Sequence, residues 1–457
     1  MLNNKKKINY INIITYLYFS LFIFLFFYTF YRAEFVYEGK QLSYYYKYYL
    51  IFISGSLLWF SVLFLDKKNK TKIVILISSI IFILYFYETI RFFAPSINNL
   101  QFFKSKKIEN VKRDEKLTKF ELIQSIKKKN NIDVVPSVFP KVLIESNWIN
   151  KKKNFFPLGG VSNTTTVFCK EGDEFSVYKS DRYGFNNPDV VWDNSDFSYF
   201  LIGDSFVQGS CVKQNENFAS QIRKYAKVNA ISLGMAGNGP LIELATLKEY
   251  AIKKNSKNIL WFYFERNDLV DLKIEKINSI LIKYLNDKFV QNLISKQTDI
   301  DKYLQKYIKF AEINKDHKIN KNHSNFAEDL NKIMRLQIVR DKTSLDRGLK
   351  LKIDPLFKEI MIKAKKFANQ SGSNLYFIYL PDKERYSSNK KNNENYLRRS
   401  EVINIINSLN IPLIDIHKQF FMKQEDPLDF YAQRIYGHYS AKGYREIAKI
   451  IIDNVNR

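Results

Sequence analysis

A short apolar run that ends in a glycine turn constrains the fold of this chain more than any other feature. Residues 197–209 read FSYFLIGDSFVQG, so an aromatic and aliphatic run precedes Gly203-Asp204-Ser205. Such a run, followed by a helix-compatible segment, predicts a buried parallel strand that leads into a tight turn. Open α/β sheets bind ligands at the carboxyl ends of their strands. We therefore expect Ser205 at that edge, above a helix N-terminus that suits negative charge. The alternative is a strand, a turn and an N-cap serine that has no catalytic role.

The rest of the second half repeats this pattern. Four more apolar runs predict strands at 230–233, 258–264, 374–380 and 411–416, with helix-like segments between them. Strands that alternate with helices predict a three-layer α/β/α domain with a parallel sheet, which we place at 166–457. Residues from 272 to about 365 are charged, helix-like and too long for a simple crossover, so we expect a helical insertion there.

The N-terminus contains three long apolar runs, at about 8–31, 48–65 and 73–93. A membrane-spanning helix needs about 20 mostly apolar residues, and the third run reaches this length only by continuing past Glu88 and Arg91. Lysines precede the first run and separate the second from the third, so the positive-inside rule predicts a cytoplasmic N-terminus. Three crossings would make this a multi-pass inner or plasma membrane protein with a periplasmic C-terminal domain. Three buried helices of a soluble bundle are the alternative.

The chain is strongly basic, with 72 Lys and Arg against 46 Asp and Glu and a net charge of +26. Such a charge suits nucleic acid, an anionic membrane or an anionic polymer. No nucleic-acid-binding motif accompanies it, so we expect no nucleic-acid partner. Residues 96–165 are Lys-rich, and we predict a basic stalk or linker that can lie against anionic lipid head groups.

Polar residues at three other turns could complete a site around Ser205. The second predicted strand runs into a glycine-rich turn at Gly237, whose backbone N–H can point at an oxyanion. Asn267 follows the third predicted strand and offers a second oxyanion donor. His438 stands in a loop before the terminal helix. The segment 178–188, dense in turn formers and aromatic residues, is either a loop packed on the core or part of a substrate rim.

Two cysteines, Cys169 and Cys211, are too few for a disulfide scaffold. If the domain lies outside the cytoplasm, they face an oxidising compartment and can pair. The bond would tie the segment before the sheet to the start of the helix after Ser205. Two free buried cysteines are the alternative, because sequence does not give the geometry.

The four turn segments, in this order, resemble the blocks of the SGNH or GDSL family of serine ester hydrolases and acyl transferases. Gly203-Asp204-Ser205 matches the nucleophile block, Gly237 the glycine block, Asn267-Asp268 the asparagine block and His438 the histidine block. The resemblance covers about residues 197–457 and implies an SGNH/flavodoxin-like fold.

Two positions depart from the family pattern. Ile435 stands where an Asp three residues before the His is usual, and Arg266 stands where a Gly often precedes the Asn. The resemblance therefore leaves the orienting group of His438 open between Asp429, Asp426 and a backbone carbonyl.

The resemblance implies acyl transfer through a covalent ester on Ser205, with His438 as base and then acid. The N–H groups of Ser205 and Gly237 and the Asn267 side chain would hold the oxyanion, and no metal or cofactor is required. Water as the second acceptor makes an ester hydrolase, whereas a sugar hydroxyl makes an O-acyltransferase.

A looser resemblance links the chain to membrane-bound SGNH-like proteins encoded with surface-polysaccharide genes. It implies a membrane-anchored enzyme acting on acyl esters, foremost acetyl esters, of cell-envelope or exported polysaccharide. The expected partners are a carbohydrate or acylated small-molecule substrate, the lipid bilayer and a membrane acyl-donor exporter. A catalytically inactive module that binds glycan or scaffolds a polysaccharide machine is the alternative, because the orienting Asp is missing.

Overall fold

The structure of the chain is a computed structural model. It describes residues 10–36, 42–105, 118–146, 148, 155–171, 174–194, 196–251, 256–318, 330, 333–336, 339, 353–387, 390–394 and 396–456. The chain forms two compact units. The first comprises Met1–Arg113 with Ile319–Leu351, and the second comprises Asp114–Lys318 with Lys352–Arg457.

Three long helices belong to the first unit. They are α1 at Tyr10–Tyr31, which continues as a π-helical turn at Arg32–Val36, α2 at Leu42–Val62 and α3 at Lys67–Ser105. Trp59 of α2 is fully buried and stacks on Tyr18 of α1, with 4.5 Å between the ring centroids. The Tyr18 hydroxyl in turn hydrogen-bonds Ser78 of α3 at 2.9 Å, so aromatic side chains join all three helices.

Two stretches of this unit, Tyr10–Phe35 and Lys67–Ile90, are long and apolar enough to cross a membrane. They correspond to the first and third predicted spans. The predicted second span falls in α2, whose first half reads LSYYYKYY and is too polar to meet the same measure. The described part of the chain thus has two such helices rather than three, and the number of crossings stays a prediction.

Eight strands form two sheets in the second unit. In chain order they are β1 Val134–Pro136, β2 Thr165–Val167, β3 Val177–Lys179, β4 Phe197–Ile202, β5 Ala230–Ser232, β6 Ser256–Phe264, β7 Asn374–Leu380 and β8 Leu413–Asp415. The main sheet has the order β5-β4-β6-β7-β8, and every neighbouring pair is parallel. This confirms the parallel sheet predicted from the five apolar runs. The small sheet, in which β2 pairs with both β1 and β3, lies outside those predictions.

Helices cover both faces of the main sheet. The helices of this unit are α4 Lys119–Asn130, α5 Pro140–Glu145, α6 Ser205–Gln208, α7 Phe218–Ala226, α8 Pro240–Thr246, α9 Asp268–Glu275, α10 Ser279–Ile282, α11 Gln297–Lys318, α12 Pro355–Gln370, α13 Glu384–Ser387, α14 Arg399–Ser408, α15 Ile416–Gln419 and α16 Ala441–Val455. Phe200 and Trp261 pack in the core formed with α8, α12 and α14, whereas Leu201 and Phe262 pack with α7 and α16. Successive strand residues point to opposite faces, so two cores result.

The predicted stalk at 96–165 contains folded elements among its described residues. A capping box between Thr118 and Glu121 begins α4, β1 pairs with β2, and Leu143 of α5 is buried in the main core. Phe156 is also buried in that core. The apolar positions here are spaced among many lysines, so the composition resembles that of a linker although the described part of the segment packs.

The turn-rich segment 178–188 packs against the main sheet. Asp181 is fully buried and accepts hydrogen bonds from two backbone N–H groups of its own turn, from Asn187 Nδ2 and from Trp192 Nε1. Asn187 also bonds both backbone groups of Ser232 on β5. These contacts favour the loop packed on the core over the substrate rim.

Candidate active site

The end of β4 presents Ser205 at the carboxyl edge of the sheet. A side chain at Gly203 would lie 2.5 Å from Val207, so the turn needs a glycine there. Asp204 is the N-cap of α6 and accepts a hydrogen bond from the Phe206 N–H at 2.9 Å. Ser205 is therefore the first helical residue, with its backbone N–H at a helix N-terminus.

Ser205, His438 and Glu171 form a continuous chain of hydrogen bonds. Ser205 Oγ lies 2.9 Å from His438 Nε2, and His438 Nδ1 lies 2.6 Å from Glu171 Oε1. The other oxygen of Glu171 accepts from the His438 backbone N–H at 3.2 Å. An ionised carboxylate only accepts, so Nδ1 carries the proton and Nε2 is left to accept from Ser205. This is the geometry of a nucleophile, a base and its orienting group.

Asp429 and Asp426, expected to orient His438, do not contact it. Both carboxylates pair with Arg434 instead. Ile435, which replaces the usual Asp, is 66% exposed. The orienting carboxylate comes from the opposite end of the domain, 267 residues before His438.

A disulfide joins Cys169 to Cys211, with 5.2 Å between their Cα atoms. Cys169 lies two residues before Glu171, and Cys211 lies in the loop that follows α6. The bond therefore fastens the loop that bears Glu171 to the loop that follows the nucleophile helix α6. The predicted pairing was the signal that could have located Glu171, since it brings the whole Cys-Lys-Glu segment beside Ser205.

The backbone N–H groups of Ser205 and Gly237 have no hydrogen-bond acceptor among the residues that the structure describes. Gly237 has a φ of 71°, which glycine adopts without strain. Its turn is joined to the nucleophile turn by Met235 N–H to Gly203 O at 3.4 Å, Ala236 N–H to Gln208 Oε1 at 2.7 Å and Asn238 Nδ2 to Gly203 O at 3.4 Å. Both predicted backbone donors therefore lie on turns that contact each other.

Asn267 follows β6 and is the N-cap of α9. Its Nδ2 donates to Asp271 Oδ2 at 2.9 Å and to Asp204 Oδ2 at 3.3 Å. The same oxygen of Asp204 lies 3.4 Å from Ser205 Oγ. The predicted side-chain donor is thus one hydrogen-bonded residue away from the nucleophile. Arg266, the other departure from the family pattern, pairs with carboxylates that follow β7.

Five buried carboxyl groups that repel one another form a cluster, and two of them accept hydrogen bonds from Asn267. They are Asp204, Glu243, Asp268, Asp271 and Glu275. Burial raises the pKa of each, and at Asp271 and Glu275, where repulsion from neighbouring carboxylates adds to the effect, the pKa reaches about 6 and about 8. Lys141 donates to Asp271 at 2.7 Å, which partly offsets this increase.

Glu171, Cys211 and His438 place donor atoms within 4.8 Å of one another, close enough for a metal ion. Cys211 is bound in the disulfide, and both nitrogens of His438 already have partners. Zinc ligands of this type are a free thiolate and an imidazole with a free nitrogen. The arrangement therefore fits a base with its orienting group better than a metal centre.

No protein-family model matches the chain, and no curated protein matches it. Among solved structures, the chain is similar to a lipase/acylhydrolase from Enterococcus faecalis, with 12% identity, 57% of this chain and 95% of that chain covered, and a TM-score of 0.32. It is also similar to a lipolytic protein of the G-D-S-L family from Desulfitobacterium hafniense, with 11% identity, 56% and 98% covered, and a TM-score of 0.31. A third similar structure is a psychrotrophic esterase from Pseudoalteromonas sp., with 12% identity, 57% of this chain and 97% of that chain covered, and a TM-score of 0.26.

The TM-scores of these superpositions are low, so the chemistry of the site is inferred from its own side chains. The main sheet ends at the nucleophile turn, the glycine turn and Asn267, and His438 reaches Ser205 from the loop before α16. The second unit is an α/β fold with a parallel sheet, and the carboxyl edge of that sheet bears the segments that resemble the SGNH/GDSL blocks.

Proposed function

We propose that this protein is a serine ester hydrolase or O-acyltransferase with Ser205, His438 and Glu171 as its catalytic triad. The observation that supports it most is the unbroken chain of hydrogen bonds, 2.9 Å from Ser205 Oγ to His438 Nε2 and 2.6 Å from His438 Nδ1 to Glu171. Serine is a weak nucleophile unless a base within hydrogen-bonding distance takes its proton.

The mechanism has two acyl-transfer steps. Ser205 Oγ attacks the ester carbonyl while its proton passes to His438 Nε2, and Glu171 stabilises the imidazolium that forms. The N–H groups of Ser205 and Gly237 and the Nδ2 of Asn267 hold the oxyanion. His438 then protonates the leaving alkoxide. In the second step the same imidazole takes a proton from water or from a sugar hydroxyl, and that oxygen attacks the acyl-enzyme. The imidazolium then returns the proton to Ser205 Oγ as the acyl group leaves it.

For the substrate we propose acyl esters, foremost acetyl esters, of cell-envelope or exported polysaccharide. Two observations support this: the apolar helices α1 and α3 would hold the enzyme at a membrane, and the segment order resembles that of membrane-bound SGNH-like proteins of surface-polysaccharide gene sets. A membrane acyl-donor exporter would then supply the acyl group of the transferase.

The catalytically inactive glycan-binding alternative loses its main support in this structure. It rested on the missing Asp at Ile435, and Glu171 supplies a carboxylate to the same nitrogen of the imidazole. No other described feature of the site favours it.

For the topology we propose three crossings and a second unit outside the cytoplasm. A structural disulfide persists in oxidising compartments, and the lysines before α1 favour a cytoplasmic N-terminus. The N-terminus and the second unit then lie on opposite sides of the membrane. This requires an odd number of crossings, so α2 would also span the membrane. An alkaline phosphatase fused after residue 113 should be active. An inactive fusion at a normal expression level would contradict this topology.

The test of the activity is covalent labelling of the full chain in detergent by a fluorophosphonate, with the adduct located by mass spectrometry. We expect an adduct on Ser205 that disappears in Ser205→Ala and His438→Ala. A folded protein that takes no label contradicts the proposal. An acyl-enzyme made from an aryl acetate then separates the two chemistries, because a transferase passes the acetyl group to an added oligosaccharide faster than to water.

A further inference from the structure

Lys141 contacts both elements that supply the predicted oxyanion donors outside the nucleophile turn. Its aliphatic stem packs on Gly237, where an added Cβ would lie 2.7 Å from Lys141 Cδ. Its ammonium donates to Asp271 Oδ1 at 2.7 Å, and the other oxygen of Asp271 accepts from Asn267 Nδ2 at 2.9 Å. We propose that Lys141 is a positioning residue that braces the oxyanion hole, by its stem at Gly237 and through Asp271 at Asn267. The inference deepens the proposed function and rests on it.

The hydrogen bonds of Asn267 explain how its side chain can be fixed in place while one of its N–H groups stays available to an oxyanion. An amide nitrogen has two N–H groups. Asp271 takes one of them at 2.9 Å, which fixes the plane of the amide. The second N–H has only the 3.3 Å contact with Asp204, a longer and weaker hydrogen bond that a developing oxyanion can replace. Because Asp271 lies on the first turns of α9, four residues after Asn267, the helix keeps this pair in register.

The charge of Lys141 is needed because of where Asp271 lies. Asp271 is 1% exposed and has Asp204 and Glu275 as neighbouring carboxyl groups. Without a cation, burial and repulsion favour a protonated Asp271. In a protonated Asp271 one carboxyl oxygen carries the proton and must donate a hydrogen bond. A single oxygen is then left to accept, so the carboxyl can no longer accept from Asn267 on one oxygen and from a second donor on the other. Lys141 also lies 3.8 Å from Glu145, an exposed partner one helical turn away.

The stem of Lys141 has a separate effect on the Gly237 turn. Gly237 is held in the left-handed region, and the Lys141 stem fills the space that a side chain would otherwise occupy. Packing on that side limits how far the turn can move, and the position of its N–H decides how well it meets the oxyanion. One side chain thus limits the motion of two donors that come from different strands.

The experiment compares four variants of the full chain in detergent, with rates on an aryl acetate counted per site titrated by fluorophosphonate. Lys141→Met keeps the stem and removes the charge, Lys141→Ala removes both, Lys141→Arg keeps both, and Asp271→Asn removes the carboxylate. Lys363→Met is the matched control, since Lys363 pairs with Asp287 at 2.9 Å and its side chain is 18% exposed against 25% for Lys141.

We expect Lys141→Met to lower kcat about 10- to 100-fold, less than the loss on removal of a whole oxyanion donor. KM should change by less than about threefold, because the brace acts on the transition state. Affinity for a trifluoromethyl ketone, which forms a tetrahedral oxyanion on serine, should fall in parallel with kcat. Lys141→Ala should lose more, and Lys141→Arg should recover most of the rate. The double variant Lys141→Met/Asp271→Asn should be no slower than Asp271→Asn alone.

Unchanged kcat and ketone affinity in Lys141→Met, while wild type is active, would overturn the brace and leave the proposed function intact. The same would follow if kcat per titrated site fell equally in Lys363→Met. A wild-type protein that neither takes the label nor hydrolyses the ester would overturn the proposed function, and the brace with it. Counting rates per titrated site removes unfolded protein from the comparison.

Discussion

In the proposed triad, Glu171 is the group that orients the imidazole of His438. Its carboxylate meets Nδ1 at 2.6 Å and the backbone N–H of the same residue at 3.2 Å, so it holds both the ring and its loop. The carboxylates nearer in sequence are engaged with Arg434 on the surface. The role of a residue here follows from its contacts rather than from its distance along the chain.

Replacement of Glu171 should therefore remove most of the activity. We expect Glu171→Gln to lower kcat about 10³- to 10⁴-fold with little change in KM, because the imidazole loses the group that fixes its tautomer. Asp429→Asn should stay within about twofold of wild type, because its carboxylate forms only an exposed ion pair with Arg434. Steady-state rates on an aryl acetate test both. A slow Asp429→Asn beside a fully active Glu171→Gln would contradict the assignment.

At the scale of elements, Glu171 lies in the connection between the antiparallel strands β2 and β3, where the Phe168 N–H donates a backbone hydrogen bond to Ser176 O at 2.8 Å. Cys169 anchors this connection to the loop after α6, and Ser176 further along donates to Val212 O at 2.7 Å. The proposed triad thus depends on the β2–β3 strand pair and on a covalent link between two loops.

Removal of the disulfide should affect both stability and catalysis. The bond closes a loop of 42 residues, so Cys169→Ser/Cys211→Ser should lose about 2–4 kcal/mol of unfolding free energy. We also expect a fall in kcat per titrated site of about tenfold or more, because Glu171 is then free to leave His438. A reductant should slow wild type and leave the double serine variant unchanged. Full activity of the reduced wild-type protein would contradict the dependence.

The Asp181 loop is a second element whose role can be tested. Asp181 accepts from four donors while fully buried, and burial raises its pKa to about 6. Asp181→Asn places an amide N–H against those donors, so we expect a loss of about 2–4 kcal/mol of unfolding free energy. Asp193→Asn is the control, since its exposed contact with Arg182 should contribute at most about 1 kcal/mol. Chemical denaturation measures the unfolding free energy of both variants. Equal losses in Asp181→Asn and Asp193→Asn would show that the buried hydrogen bonds of Asp181 contribute no more than the exposed ion pair.

At the scale of the whole molecule, the second unit buries several carboxyl groups that prefer to hold a proton. Burial raises the pKa of Asp271 to about 6 and that of Glu275 to about 8, and it also raises the pKa of Asp204. Between the usual carboxyl pKa and these values the folded state binds protons that the unfolded state releases. The unfolding free energy is then highest at the low-pH end of this window, and it falls as the pH rises through the pKa values of the folded state.

We expect the unfolding free energy of the second unit to fall by about 3 kcal/mol between about pH 5 and pH 8. The raised pKa values of Asp271 and Glu275 outweigh the opposite effect of His417, whose pKa burial lowers to about 3. The melting temperature, followed by tryptophan fluorescence, should fall by several degrees over the same range. Glu275→Gln should flatten this dependence, because the group with the highest of these pKa values is removed. A melting temperature that rises steadily from pH 5 to pH 8 would contradict the assignment.

The periodicity and the turn residues determined much of this protein. Five apolar runs predicted the five parallel strands, because buried strands leave a local signal that does not depend on partners. Gly203-Asp204-Ser205, Gly237, Asn267 and His438 could be named because each stands at the end of such a run or before a helix. These are local relations between a strand, its turn and the next helix.

Only the tertiary structure decided what completes the site. Lys141 lies in the predicted Lys-rich stalk at 96–165, and Glu171 lies before the first predicted strand of the domain. Their proposed roles depend on contacts across 130 and 267 residues. Asp429 was the natural expectation because it is near His438 in sequence, yet the fold turns it toward Arg434. Sequence patterns report the local conformation of a segment, whereas the partner of a charged side chain depends on which distant loop the sheet and the disulfide bring to it.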